Sequence, residues 1–173
     1  MNSSRLSFAV LLAAMFVTAA CGDDPVGPPS ATYHVTLTLQ QVTGVACAAA
    51  GANASGTATV TVNAKETEIS VNDLTFSGLS GPVSTAHIQF GITGASGGPA
   101  FDFGATLANP LVSPYNAKFT EHEYIAPAGA PALFANFIVS MAQQATYIEL
   151  HTQACPNGEI RGQLLPDAEV EGQ

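Results

Sequence analysis

Positive charge is nearly missing from this chain. Four Lys and Arg residues stand against thirteen Asp and Glu, a formal net charge of −9 over 173 residues. Phosphate backbones are held by clustered Lys and Arg, so the shortage excludes nucleic acid as a partner. It also excludes electrostatic docking on anionic lipid. Trp is absent, and charged residues of both signs make only 10% of the chain. There is no internal repeat and no apolar run long enough to span a bilayer as a helix. A Walker loop, a His-Glu-x-x-His helix and a dinucleotide fingerprint are all missing, which removes the enzyme classes that depend on them. The glycine-rich run 94–98 does not lead from a strand into a helix, so it is not read as a phosphate cradle.

What is present begins with a leader. Arg5 supplies a positive start, residues 6–17 are apolar but too short to cross a membrane, and Thr18-Ala19-Ala20 are small. Cys21 follows directly. This pattern resembles a bacterial lipoprotein signal, with Thr18 standing where an aliphatic residue is usual. The expectation is cleavage after Ala20 and lipidation of Cys21; the alternative is an ordinary secretory signal with a free thiol. Residues 22–30 hold two acids and three prolines with no apolar periodicity, and read as a solvated tether. The expected division is a leader at 1–20, lipidated Cys and tether at 21–31, one domain at 32–166 and a loose tail at 167–173. The mature chain would carry three Lys/Arg against thirteen Asp/Glu, or −10. Its place would be the bacterial cell envelope, anchored to a membrane with the domain extracytoplasmic.

Once Cys21 is set aside, Cys47 and Cys155 remain, an even pair in an oxidising compartment. A disulfide between them is the expectation.

The domain reads as strands. Residues 32–42 alternate, with Tyr33, Val35, Leu37 and Leu39 on one side and His34, Thr36, Thr38 and Gln40 on the other. Residues 56–64 and 68–76 alternate about a turn and form a hairpin. Residues 84–92 place Ala86, Ile88, Phe90 and Ile92 on one face, with His87 and Gln89 on the other. Shorter strands are expected at 101–107 and 118–124. Leu133, Phe134, Phe137, Ile138 and Met141 recur at helical spacing, and Pro131 suits a first helical position, so 131–144 is read as a helix. A strand, a tight turn and a final strand occupy 147–164. The class is all-β: an antiparallel, Greek-key-like β-sandwich or barrel with one short helix near the C-terminal strands.

Two segments carry a resemblance. Tyr147-Ile148-Glu149-Leu150-His151-Thr152 with Gly158-Glu159-Ile160-Arg161-Gly162-Gln163-Leu164 resembles the end of the chordin-type (CHRD) domain, and Thr85-Ala86-His87-Ile88-Gln89-Phe90-Gly91 is similar to its earlier Ala-His-Ile-His segment. The resemblance covers about residues 32–165. It implies a β-sandwich of the kind found on bacterial secreted proteins and lipoproteins. In animal chordin, similar domains belong to an extracellular antagonist of growth factors. No settled biochemical activity comes with the family. Gln89 stands where the family often has a second His, and Cys47 and Cys155 look like additions.

Candidate chemistry is sparse. His87 and His151 occupy the family's histidine positions; if their strands are neighbours they could bind a divalent metal with a nearby carboxylate. The competing reading makes each a structural hydrogen-bonding residue. Glu121-His122-Glu123, read as strand, puts His122 opposite both acids and so makes an exposed acidic face rather than a metal clamp. Glu159 and Arg161, two apart, share a strand face and are read as a structural clamp, with Arg161 reaching Glu149, Glu159 or loop carbonyls. Four scattered histidines with no His-x-His exclude the two-metal site of a copper/zinc superoxide dismutase. The main expectation is a non-enzymatic, envelope-anchored module that binds an extracytoplasmic protein or ligand or has a structural role, without a cofactor. A metal protein or metalloenzyme built on His87 and His151 is the rival.

Overall fold

The computed structural model describes residues 30–44 and 47–167. The expected leader, Cys21, nearly all of the tether and the last six residues lie outside the described residues. The strands are β1 (Ala31–Thr38), β2 (Ser55–Val62), β3 (Ile69–Ser77), β4 (Val83–Phe90), β5 (Pro99–Asp102), β6 (Tyr115–Phe119), β7 (Thr146–Thr152), β8 (Ile160–Gln163) and β9 (Leu165–Pro166), with one helix, α1 (Phe134–Ala142). They form a single sheet in the order β5-β4-β7-β8-β1-β2-β3-β6, with β9 beside β1. Every pairing is antiparallel.

The sheet curls until its two edges nearly meet. Phe101 of β5 packs on Phe119 of β6 with ring centroids 5.1 Å apart, and Phe103 stacks on Tyr115 at 5.4 Å. The Tyr115 hydroxyl donates to the Phe103 carbonyl at 3.1 Å. A single bridge between Val83 and Leu111 adds to the seam. The result is a nearly closed barrel, which leaves little free strand edge.

Alternation fills the barrel. Tyr33, Val35 and Leu37 of β1, Val60 and Val62 of β2, Ile69, Val71 and Leu74 of β3, and Ala86 and Ile88 of β4 are all buried in one cluster. Helix α1 adds Phe134, Phe137, Ile138 and Met141, with Phe137 against Phe101 at 5.5 Å.

Several expected boundaries move, each for a local reason. The helix begins at Phe134 rather than Pro131, and Leu133 is its cap, 61% exposed rather than core. β4 stops at Phe90 because Gly91 opens a loop, which leaves Ile92 61% exposed instead of inward. The strand expected at 118–124 is Tyr115–Phe119, and Glu121–Glu123 is a 3₁₀ turn. There Thr120 accepts from the His122 N–H while the Glu123 carboxylate accepts from the Thr120 N–H at 2.8 Å, a capping box that strand geometry cannot make. β5 is shorter than the expected 101–107 and starts at Pro99. Asp167, expected in the tail, donates its N–H to the Thr32 carbonyl at 3.0 Å and its carboxylate pairs with His34.

Candidate functional site

β7 and β8 depart from simple alternation: six of the seven residues of β7 and all four of β8 are buried. Ile148 and Leu150 face the core, so Tyr147, Glu149 and His151 lie on the opposite, outer face. Register then assembles a polar row. His87 of β4 pairs with Glu149 on one side and Asp102 of β5 on the other. Glu149 pairs in turn with Arg161 of β8, while Tyr147 stands between Gln89 and Gln163.

The loop after β4 covers part of this row. Arg161, 1% exposed, donates to the carbonyls of Ala95 at 2.9 Å and Ile92 at 3.0 Å. Its guanidinium lies 3.5 Å from the centre of the Tyr147 ring. Gln163 donates to the Gly91 carbonyl at 2.9 Å, and the Tyr147 hydroxyl accepts from the Gly97 N–H at 2.9 Å. That hydroxyl donates to Gln89 Oε1 at 2.7 Å, and Gln89 donates to Glu149 Oε2 at 3.1 Å. Burial pushes the Glu149 carboxyl up to about 7, against the pull of Arg161 and the Gln89 amide.

The two histidines converge. Their ring centroids are 6.0 Å apart. His151 Nδ1 lies 3.1 Å from the Pro156 carbonyl, which can only accept, so that nitrogen carries the proton. His151 Nε2 then faces Glu149 Oε2 at 3.6 Å. His87 Nε2 stands 4.0 Å from Asp102 Oδ1, and His87 Nδ1 is buried with no hydrogen-bond partner. Burial lowers both imidazole pKa values, opposed at His87 by Asp102 and at His151 by the Pro156 bond. Among the described residues, no three His, Cys, Asp or Glu side chains already form a metal-ligand cluster.

Glu159 and Arg161 do not act on one partner. β8 begins at Ile160, and Glu159 lies before it, turned to a different loop. The Glu159 carboxylate accepts from Ser80 N–H and Oγ, both at 2.6 Å, from Thr152 Oγ1 at 2.6 Å and from Gly51 N–H at 3.3 Å. Burial alone would raise its pKa, but these donors hold it below the ordinary carboxylate value. Cys47 and Cys155 are bonded, with Cα atoms 5.6 Å apart, fixing the 47–51 loop beside the same turn.

A family model for the CHRD domain matches residues 33–164. The chain belongs to the CHRD-domain family. Among curated proteins and among solved structures, nothing matched. In this CHRD domain the motif 158–164 is a fastening device. Gly158, at φ +111°, lies against Glu149, and a Cβ there would meet Glu149 Oε1 at 2.5 Å. Gly162 lets β8 approach β1, where a Cβ would meet Val35 Cγ1 at 2.6 Å and the Thr36 carbonyl at 2.7 Å.

Sequence reasoning missed three things. Asp102 gave no local signal and Gln163 stood in the motif 158–164 without a role, because cross-strand register alone brings them to the row. The loop from Gly94 to Gly98 spells Gly-x-Ser-x-Gly, but it joins β4 to β5 rather than a strand to a helix, and Ser96 Oγ bonds Thr43 Oγ1. A groove of about 630 Å³ also lies between the β2–β3 turn and the start of α1, lined by Glu66, Glu68, Glu121, His122, Leu133 and Phe134.

Proposed function

We propose that this protein is a lipid-anchored, extracytoplasmic binding module. In this reading Cys21 carries the lipid, residues 22–31 form the tether, and the CHRD domain holds a polypeptide segment bearing apolar and cationic side chains. The observation that carries the binding role is the groove beside α1. Leu133 offers an exposed apolar surface there, and the Glu66 and Glu121 side chains lie at its margin with no cationic partner among the described residues. Glu68, by contrast, is bonded to Lys118 at 2.8 Å. A chain of net charge −9 favours a partner of opposite sign. By contrast, Tyr147, Arg161 and Gln163 are occupied in holding the loop and are not free for a partner.

The binding role is tested with a short Lys/Leu peptide and the full chain in detergent. Saturable, salt-sensitive binding is expected, weakened at least about tenfold when Glu66 and Glu121 are both changed to Lys. Equal binding by that variant overturns the groove assignment. The anchor is tested by palmitate labelling: the label is expected on the wild type and lost in Cys21→Ser, and an unlabelled wild type overturns it.

A further inference from the structure

We propose that the outer face of β4 and β7 is a binding site for a borderline divalent transition ion, Zn²⁺ or Cu²⁺, with His87 and His151 as nitrogen donors and Glu149 as the oxygen donor. This site is separate from the groove and does not depend on it. The first observation is the orphaned nitrogen. His87 Nδ1 is buried without a partner. A buried polar atom left unpaired is destabilising, and an ion or a water that uses it is among the explanations. The other nitrogen of the same ring faces Asp102 at 4.0 Å. A carboxylate hydrogen-bonded to the second nitrogen is the usual support of a metal-bound histidine; Asp102 Oδ1, which accepts from the Gly104 N–H at 2.7 Å, takes that place only as the ring moves closer.

The second observation is His151. Its Nδ1–H is held by the Pro156 carbonyl at 3.1 Å, which fixes the tautomer and leaves Nε2 as an acceptor, with the Gln89 amide nitrogen 3.5 Å away. His151 Nε2 is 3.6 Å from Glu149 Oε2. Two ligands on a tetrahedral ion with bonds of about 2.0–2.1 Å lie about 3.4 Å apart, so this pair is already close to ligand spacing.

The third is the separation of the rings. Two imidazoles sharing one ion have centroids about 5–6 Å apart, and here they are 6.0 Å apart. Nitrogen and carboxylate donors together select zinc or copper over calcium, which takes oxygen ligands. The His87 and His151 side chains keep 15% and 13% of their exposure, but His87 Nδ1 itself is buried, so an ion reaches it only as the ring turns. Among the described residues no three such side chains already stand at ligand spacing, so binding an ion here requires side-chain rotation.

The test is calorimetric titration of the full chain in detergent with Zn²⁺ alone. One ion per chain is expected, with affinity falling at least about tenfold in His87→Ala and in His151→Ala and by about tenfold in Asp102→Asn. A gain-of-function variant guards against misfolding. The Gln89 amide nitrogen lies 3.5 Å from His151 Nε2 and 3.1 Å from Glu149 Oε2, so Gln89→His adds a donor and should tighten binding. No saturable Zn²⁺ binding, binding that survives both histidine variants, or displacement of Zn²⁺ by equimolar Ca²⁺ each overturns the proposal.

Discussion

Glu159 shows how one charge can hold three parts of the chain. Its carboxylate gathers donors from Gly51, Ser80 and Thr152, and it is 1% exposed. Its folded pKa lies below the ordinary 4.5, so on acidification the unfolded chain takes up a proton first. The stability it contributes is therefore complete above about pH 4.5 and is lost as pH falls through the folded value. In urea denaturation at pH 7, Glu159→Gln should lose about 2 kcal/mol, and the gap from wild type should shrink at pH 3. A gap that does not change with pH would refute the assignment of an ionised, hydrogen-bonded carboxylate. Gly162 is the matching case for a missing side chain. A Cβ would press on Val35 and the Thr36 carbonyl, so Gly162→Ala should lower stability by about 1–3 kcal/mol, measured by thermal melting. An unchanged melting temperature would mean that β8 is free to move away from β1. The residue types here were legible in advance, and a structural use was the expectation for Glu159 and Arg161. Their partners were not, because Ser80 and Ile92 are 79 and 69 residues away in sequence.

Among elements, the loop between β4 and β5 depends most on the rest of the fold. Its glycines read as a flexible segment, yet four side chains of other strands or of β4 surround it or brace those that do. Arg161 is central, since its planar fork reaches two carbonyls while its face lies on Tyr147. A lysine has the charge without the fork. In Arg161→Lys, hydrogen exchange at residues 92–98 should quicken at least about tenfold while β1 and β2 keep their protection. Equal exchange in both proteins would show that the loop holds itself. Helix α1 was readable from its spacing, because Phe134, Phe137, Ile138 and Met141 follow the period of a helix and all pack inward. Its start was not, since Pro131 signals a permitted first position and Leu133 follows the same period, but the helix meets the barrel only from Phe134.

For the whole molecule, the Cys47–Cys155 bond closes a separation of 108 residues, from the loop before β2 to the turn before β8. Closing a loop of that length in the unfolded chain is worth about 4–5 kcal/mol. Cys47→Ser with Cys155→Ser should therefore melt well below wild type, and the wild-type mass should show a two-hydrogen deficit without reductant; identical melting would refute its role in stability. Composition, alternation and the even cysteine pair determined the all-β class, the helix and the disulfide, because those properties are local or depend on counting. The motifs at 85–91, 147–152 and 158–164 likewise pointed to the family from the sequence alone. Only the tertiary structure decided that β4 lies between β5 and β7, and that order brings His87, Glu149, His151 and Asp102 to one face. Strand order depends on how a barrel closes, and no periodicity along the chain records it.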